Sequence, residues 1–445
     1  MKNTFIRPAF ALFACVLVAA LLCVGAVRAE GEPVEVSAQN AAATTLPPYT
    51  YSCDDGVYST LSGYLSVKHV TVPLQRLDYL NVPGFARAVP IQLVLQDHPA
   101  PLVIMLLGIS GQASTDFSKQ WPSWLSRAGY NVLTFDSTFR PEFLDIGGAH
   151  VGVSGNIWAE SAKVRDIIEA FLAKYSGQMQ PTRVGLVGMS YGGIQALILG
   201  QMATEGKLPF KVDAIQSYSP PIDMRQTAVI LDNWYNEYRW KYTMIEMYTT
   251  VMAHHPHCSA TCTPLPDDLS HAAIAASFHL GLSEALVANN KRFCLHLFSS
   301  DPQDRDDEAG TWGFTRYMAE LAFPWWRDRM SSNHIDELIE ATRLPVLLSH
   351  QPPCTETIFA ADDPFNVPQD VSELRDHAKE LSLTILPRGG HLGYIADPWT
   401  RAKLLTLFDC AAKPAAAAAP AAPLAPAPQA APAPVQPVQP DEKTR

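Results

Sequence analysis

The chain has 445 residues, 47% of them hydrophobic and 17% charged, with 36 prolines, 25 glycines and eight cysteines. That apolar share suits a sizeable core and excludes wholesale disorder, while the length allows two or three domains or one large α/β domain with insertions. The formal charge of −11 repels phosphate backbones and anionic lipid, which argues against a nucleic-acid partner.

The first 29 residues read as a secretory signal. Lys2 and Arg7 precede an uncharged apolar run from Ala9 to Ala26, and Val27-Arg28-Ala29 offers small residues where a signal peptidase cuts. An uncleaved anchor is the alternative, since the run just spans a bilayer. Export would leave Cys53, Cys258, Cys262, Cys294, Cys354 and Cys410 in an oxidising compartment, where an even count favours disulfides. Cys258 and Cys262 are close enough for a local staple. Beside them stand His254, His255 and His257, but the spacing fits no standard zinc pattern, and no metal site is expected.

Residues 30–84 are expected to form an N-terminal arm with the first strands. Alternating polarity predicts strands over 63–74 and 89–96. Leu102–Leu107 is a continuous apolar run ended by Gly108, as expected of a strand buried on both faces. Asn131–Phe135, Val184–Val187, Val212–Ser217, Pro345–Ser349 and Leu381–Ile385 are the further predicted strands. Helices are predicted around 164–172, from about Gly193, and from Pro398 to about Phe408. Strands alternating with helices give an α/β architecture, a mostly parallel sheet covered on both faces. Residues 222–342 break the alternation and are expected to form a large, mainly helical cap insertion. It carries Trp234, Tyr235, Tyr238, Trp240 and Met244, side chains suited to its own core or to an apolar pocket. The end of the chain, 411–445, is rich in alanine and proline and reads as an extended disordered tail, either an inert appendage or a spacer toward the cell envelope.

Chemistry gathers at three places. Gly188-Met189-Ser190-Tyr191-Gly192 follows a predicted strand and opens a helix, the setting of a G-x-S-x-G nucleophile elbow. A serine hydroxyl needs a base, and His391 lies in Gly389-Gly390-His391-Leu392-Gly393-Tyr394 after the last predicted strand. The orienting carboxylate is expected at Asp363, with its neighbour Asp362 and Asp223, one strand earlier, as alternatives. The oxyanion would be received by the backbone N–H of Tyr191 and by that of Ile109 in Gly108-Ile109-Ser110-Gly111.

These motifs, with Ser219-Pro220-Pro221, make the chain resemble the α/β-hydrolase superfamily over residues 85–410, and within it the medium-chain acyl esterases. The resemblance implies an α/β-hydrolase core in two parts, 85–221 and 343–410, around the insertion, and a Ser190–Asp363–His391 triad. It implies cleavage of a small-molecule ester or acyl substrate, with no cofactor. Three departures stand out: Leu107 where a histidine is common, the long insertion, and a stretched acid loop containing Cys354. A peptidase or amidase, to which the acidic run Asp301–Glu308 could offer an amine site, and a non-catalytic binding protein are the rival readings.

Overall fold

The structure is a computed structural model and describes residues 46–67, 69–254, 264–329, 337 and 339–410. The expected signal segment, the Cys258–Cys262 pair and the Ala/Pro tail lie outside them.

Helix α1 (Gly56–Ser66) comes first, then β1 (Gln75–Leu80), β2 (Val89–Val94), β3 (Leu102–Leu106), α2 (Asp116–Arg127), β4 (Asn131–Phe135), α3 (Pro141–Gly147) and α4 (Ile157–Tyr175). Then come β5 (Val184–Met189), α5 (Tyr191–Thr204) and β6 (Ala214–Tyr218). Between β6 and the next strand the described residues form α6 (Met224–Tyr238), α7 (Met244–His254), α8 (Asp267–Phe293), α9 (Pro302–Ala309), α10 (Phe314–Tyr317), a π-helical turn (Met318–Ala322), α11 (Phe323–Arg327) and α12 (Leu344–Leu348). The chain closes with β7 (Thr355–Ala360), α13 (Pro368–Asp376), β8 (Leu383–Leu386) and α14 (Pro398–Leu405).

The eight strands make one sheet in the order β1-β2-β4-β3-β5-β6-β7-β8. Pairing is antiparallel for β1 with β2 and β2 with β4, and parallel from β4 to β8. Strand β3 shows why the sheet is covered twice. Leu102, Ile104 and Leu106 belong to one core, while Val103, Met105 and Leu107 belong to the other. Alternate side chains leave opposite faces, so an unbroken apolar run buries both.

Two expected strands are something else. Residues 63–74 hold the end of α1 and a connecting stretch, and β1 begins only at Gln75. Asp55 caps α1 by accepting from the Tyr58 amide at 2.8 Å, and Val57, Leu61 and Leu65 share a helical face whose period overrides the apparent alternation. Residues 345–349 are also helical. Pro345 occupies the first turn of α12, where its missing N–H costs nothing. The strand that belongs there is β7, so Asp362 and Asp363 follow its end within three residues. The acid loop is therefore short, and Cys354 precedes the strand. The sulfur of Cys354 faces that of Cys410 at disulfide distance, with Cα atoms 5.7 Å apart.

Candidate active site

Ser190 sits between β5 and α5 with φ 53° and ψ −119°, a region that costs an L-residue roughly 1–3 kcal/mol. Packing enforces it. A Cβ on Gly192 would overlap the carbonyl groups of Leu106 and Leu107, and one on Gly188 would overlap the Gly192 carbonyl. The Ser190 amide donates to the Tyr218 carbonyl at 2.8 Å, which ties the turn to β6. The Tyr191 amide is the first of α5, a position at which a helix offers the N–H no intrahelical acceptor.

The turn after β3 lies against this serine. A Cβ built on Gly108 would stand 3.4 Å from Ser190 Cβ and 3.9 Å from its Oγ. Gly111 N–H donates to the Gly108 carbonyl at 2.9 Å, and Ser110 holds φ 59°. Arg140 pins the same turn by donating from Nη1 to the Ser110 carbonyl at 3.2 Å. Ile109 thus directly follows the glycine that lies against Ser190, and Tyr191 directly follows Ser190 itself.

His391 Nδ1 lies 2.8 Å from Asp363 Oδ2, and both side chains are buried. The other carboxylate oxygen of Asp363 accepts from the Phe365 amide at 3.0 Å, and the Phe365 ring packs on the imidazole at 4.5 Å. His391 Nε2 is buried and has no hydrogen-bond partner, so no bond joins it to Ser190 Oγ in this structure. The end of β6 measures how near the two loops are: Tyr218 accepts from the Ser190 amide, and the next residue, Ser219, accepts from the Leu392 amide at 3.4 Å.

The rival acids are otherwise engaged. Asp362 accepts from the Gly389 and Gly390 amides at 3.1 and 2.9 Å, and burial raises its carboxyl above the ordinary range despite them. Asp223 caps α6 by accepting from the Arg225 and Gln226 amides and pairs with Arg343 at 3.5 Å. In the acidic run, Asp301 caps α9 and Glu308 accepts from the Ser299 amide. Among the described residues, no three His, Cys, Asp or Glu side chains cluster to hold a metal ion.

Sequence reasoning missed Glu160. It is buried, and it accepts from Thr138 Oγ1 at 2.5 Å, the Gly155 amide at 2.7 Å and the Tyr191 hydroxyl at 2.8 Å. Burial raises its carboxyl in spite of these three donors. Glu160 lies four residues before Val164 on the face of α4 that buries Ile167, Ile168 and Phe171, and that apolar stripe is the signal that could have marked it. Beside it lies a mainly apolar cavity of about 290 Å³, bordered by Ile109, Ile157, Tyr191, Met224, Phe314 and Trp326 among others.

Sheet order, the strained elbow after β5, and the acid and histidine after β7 and β8 define an α/β-hydrolase fold. No family profile matches the chain. A curated protein of Synechocystis sp., named "Putative esterase slr0264", is 30% identical over 124 residues, which cover 26% of this chain and 32% of that protein. The chain thus matches about a third of the length of that curated relative. Among solved structures, the Pyrococcus furiosus esterase Pf2001 aligns with a TM-score of 0.43 and 14% identity over 83% of this chain and 98% of its own. The proline iminopeptidase of Mycobacterium smegmatis aligns at 0.38 and 14% over 76% and 99%. These likenesses concern the fold alone.

Proposed function

We propose that the chain is an exported serine hydrolase that cleaves carboxylic esters of short to medium acyl chain. The observation that carries this reading is the buried Asp363–His391 pair, whose unpartnered Nε2 belongs to a loop bonded to Ser219, the residue after the one that accepts from the Ser190 amide. In an unliganded site the serine–imidazole bond is often long and tightens only with substrate. The match to a protein named as an esterase points the same way.

His391 Nε2 takes the Ser190 proton as Oγ attacks the acyl carbon, and the imidazolium is stabilised by Asp363. The amides of Tyr191 and Ile109 receive the charge that develops on the carbonyl oxygen. Collapse of the tetrahedral species breaks the ester bond, and His391 returns the proton to the departing alkoxide. Water, deprotonated by the same nitrogen, then attacks the acyl-enzyme and releases the acid and Ser190. The apolar cavity against Ile109 and Tyr191 suits the hydrocarbon part of such an ester, and no cofactor enters the cycle. Facing sulfurs at Cys354 and Cys410 accord with an oxidising compartment, and the Ala/Pro tail would serve as a spacer to the envelope.

Turnover of a nitrophenyl-ester series by wild type and Ser190→Ala tests the reading. Loss of turnover in the variant, with an optimum among the shorter chains, is expected. Unchanged turnover would remove Ser190 from the mechanism. Faster cleavage of aminoacyl amides than of esters would replace ester with amide.

A further inference from the structure

Helix α1 precedes the part of the chain that carries the resemblance, yet it forms the back wall of the histidine loop. Four successive amides of that loop donate to side chains. Gly389 and Gly390 donate to the two oxygens of Asp362, His391 to Thr60 Oγ1 at 2.8 Å, and Leu392 to Ser219 Oγ. The Thr60 hydroxyl itself donates to the Gly56 carbonyl at 2.7 Å, which leaves its oxygen aimed at the His391 amide. The approach is close enough to require bare backbone: a Cβ on Gly63 would overlap Gly393 Cα, and one on Gly390 would overlap the Gly56 carbonyl. Gly56, Thr60 and Gly63 recur at i, i+4 and i+7, so a single face of α1 makes all three contacts. Elsewhere on the helix, Tyr58 is buried in a cluster with Met247, Val251 and Leu269, which anchors α1 to α7 and α8.

We propose that α1 positions His391 and that Thr60 is its positioning residue. The hydroxyl fixes the backbone of the residue whose imidazole must keep Nδ1 on Asp363 and present Nε2 to Ser190. This rests on the serine-hydrolase reading above. Without the acceptor the amide is orphaned and the loop shifts to satisfy it. A displacement near 1 Å at a reacting group lowers turnover on the order of 10²-fold, and a smaller one proportionately less. Thr60 does not border the apolar cavity proposed for the ester, so binding is spared.

The test is steady-state kinetics of the full processed chain on a nitrophenyl ester, with thermal melts, for Thr60→Val, Thr60→Ala, Thr60→Ser and Ser190→Ala. Thr60→Val is expected to lower kcat roughly tenfold with KM within about twofold. Thr60→Ser, which restores the oxygen, is expected to return kcat to within about threefold of wild type. Thr60→Ala supplies the same comparison if the valine does not fold, since it removes the hydroxyl and adds no bulk. Wild-type kcat in either hydroxyl-free variant overturns the proposal, as does a serine variant no better than valine. If Ser190→Ala abolishes turnover while Thr60→Val and Thr60→Ala leave it intact, only the positioning role falls. If Ser190→Ala is fully active, the positioning role and the serine-hydrolase reading fall together.

Discussion

Ser190 is held by backbone packed on backbone: glycines at 188 and 192 face carbonyl groups that have nowhere to go, and the serine amide is tied to β6. His391 is held differently, in a loop whose amides at 389–392 are met by side chains from α1, from the end of β6 and from the turn after β7. Ser190 is thus set by backbone from the ends of β3 and β6 pressed against the elbow, whereas the loop of His391 is held by side chains, the farthest of them 331 positions away. Damage to the first region should therefore appear as lost stability, and damage to the second as lost turnover in a folded protein.

Asp363→Asn makes the sharpest separation. It leaves the loop amides satisfied but disrupts the imidazole's orientation, so kcat should fall on the order of 10³-fold or more with a thermal midpoint close to wild type. Equal losses of stability and activity would erase the distinction. On the other side, Gly192→Ala forces a Cβ against the carbonyls after β3. It should cost about 3 kcal/mol or more, read as a lower urea midpoint. A variant as stable as wild type would mean that the elbow is looser than its packing indicates.

Asp362→Asn sharpens the comparison. The amide replaces one of two acceptors with a donor facing a donor, so turnover should drop roughly tenfold while Ser190 stays packed. Unchanged kcat would show that the histidine loop keeps its shape without this clamp.

The smallest expected effect concerns Glu160. Its folded carboxyl is raised by burial above the unfolded value of about 4.3. Between those two values the folded state binds more protons than the unfolded, so stability is highest below the unfolded value and falls as pH rises through the folded one. Glu160→Gln should flatten that part of the curve. Urea midpoints measured from acid to neutral pH check it, and parallel curves for the two proteins would contradict it.

What could be read beforehand follows the same division. The Ser190 elbow and the apolar run of β3 are local patterns, and each is legible from its own residues. The histidine loop is also recognisable by its glycines, but its partners are not: Thr60 and His391 are 331 positions apart, and nothing around Thr60 marks it. The missed strand at 355–360 has a local cause instead. Thr355, Thr357 and Glu356 dilute its apolar pattern, while Leu344–Leu348 is apolar yet helical because Pro345 sits where a helix tolerates it. Once β7 is in place, the long acid loop disappears and Asp363 meets the imidazole directly.

Fluorophosphonate labelling of the purified protein, followed by peptide mapping, bears most directly on the central claim that one strained serine is activated by His391. A single adduct on the peptide containing Ser190, with labelling suppressed in His391→Ala, is the predicted result. An adduct on another side chain, or labelling that persists at full rate without the imidazole, would contradict it.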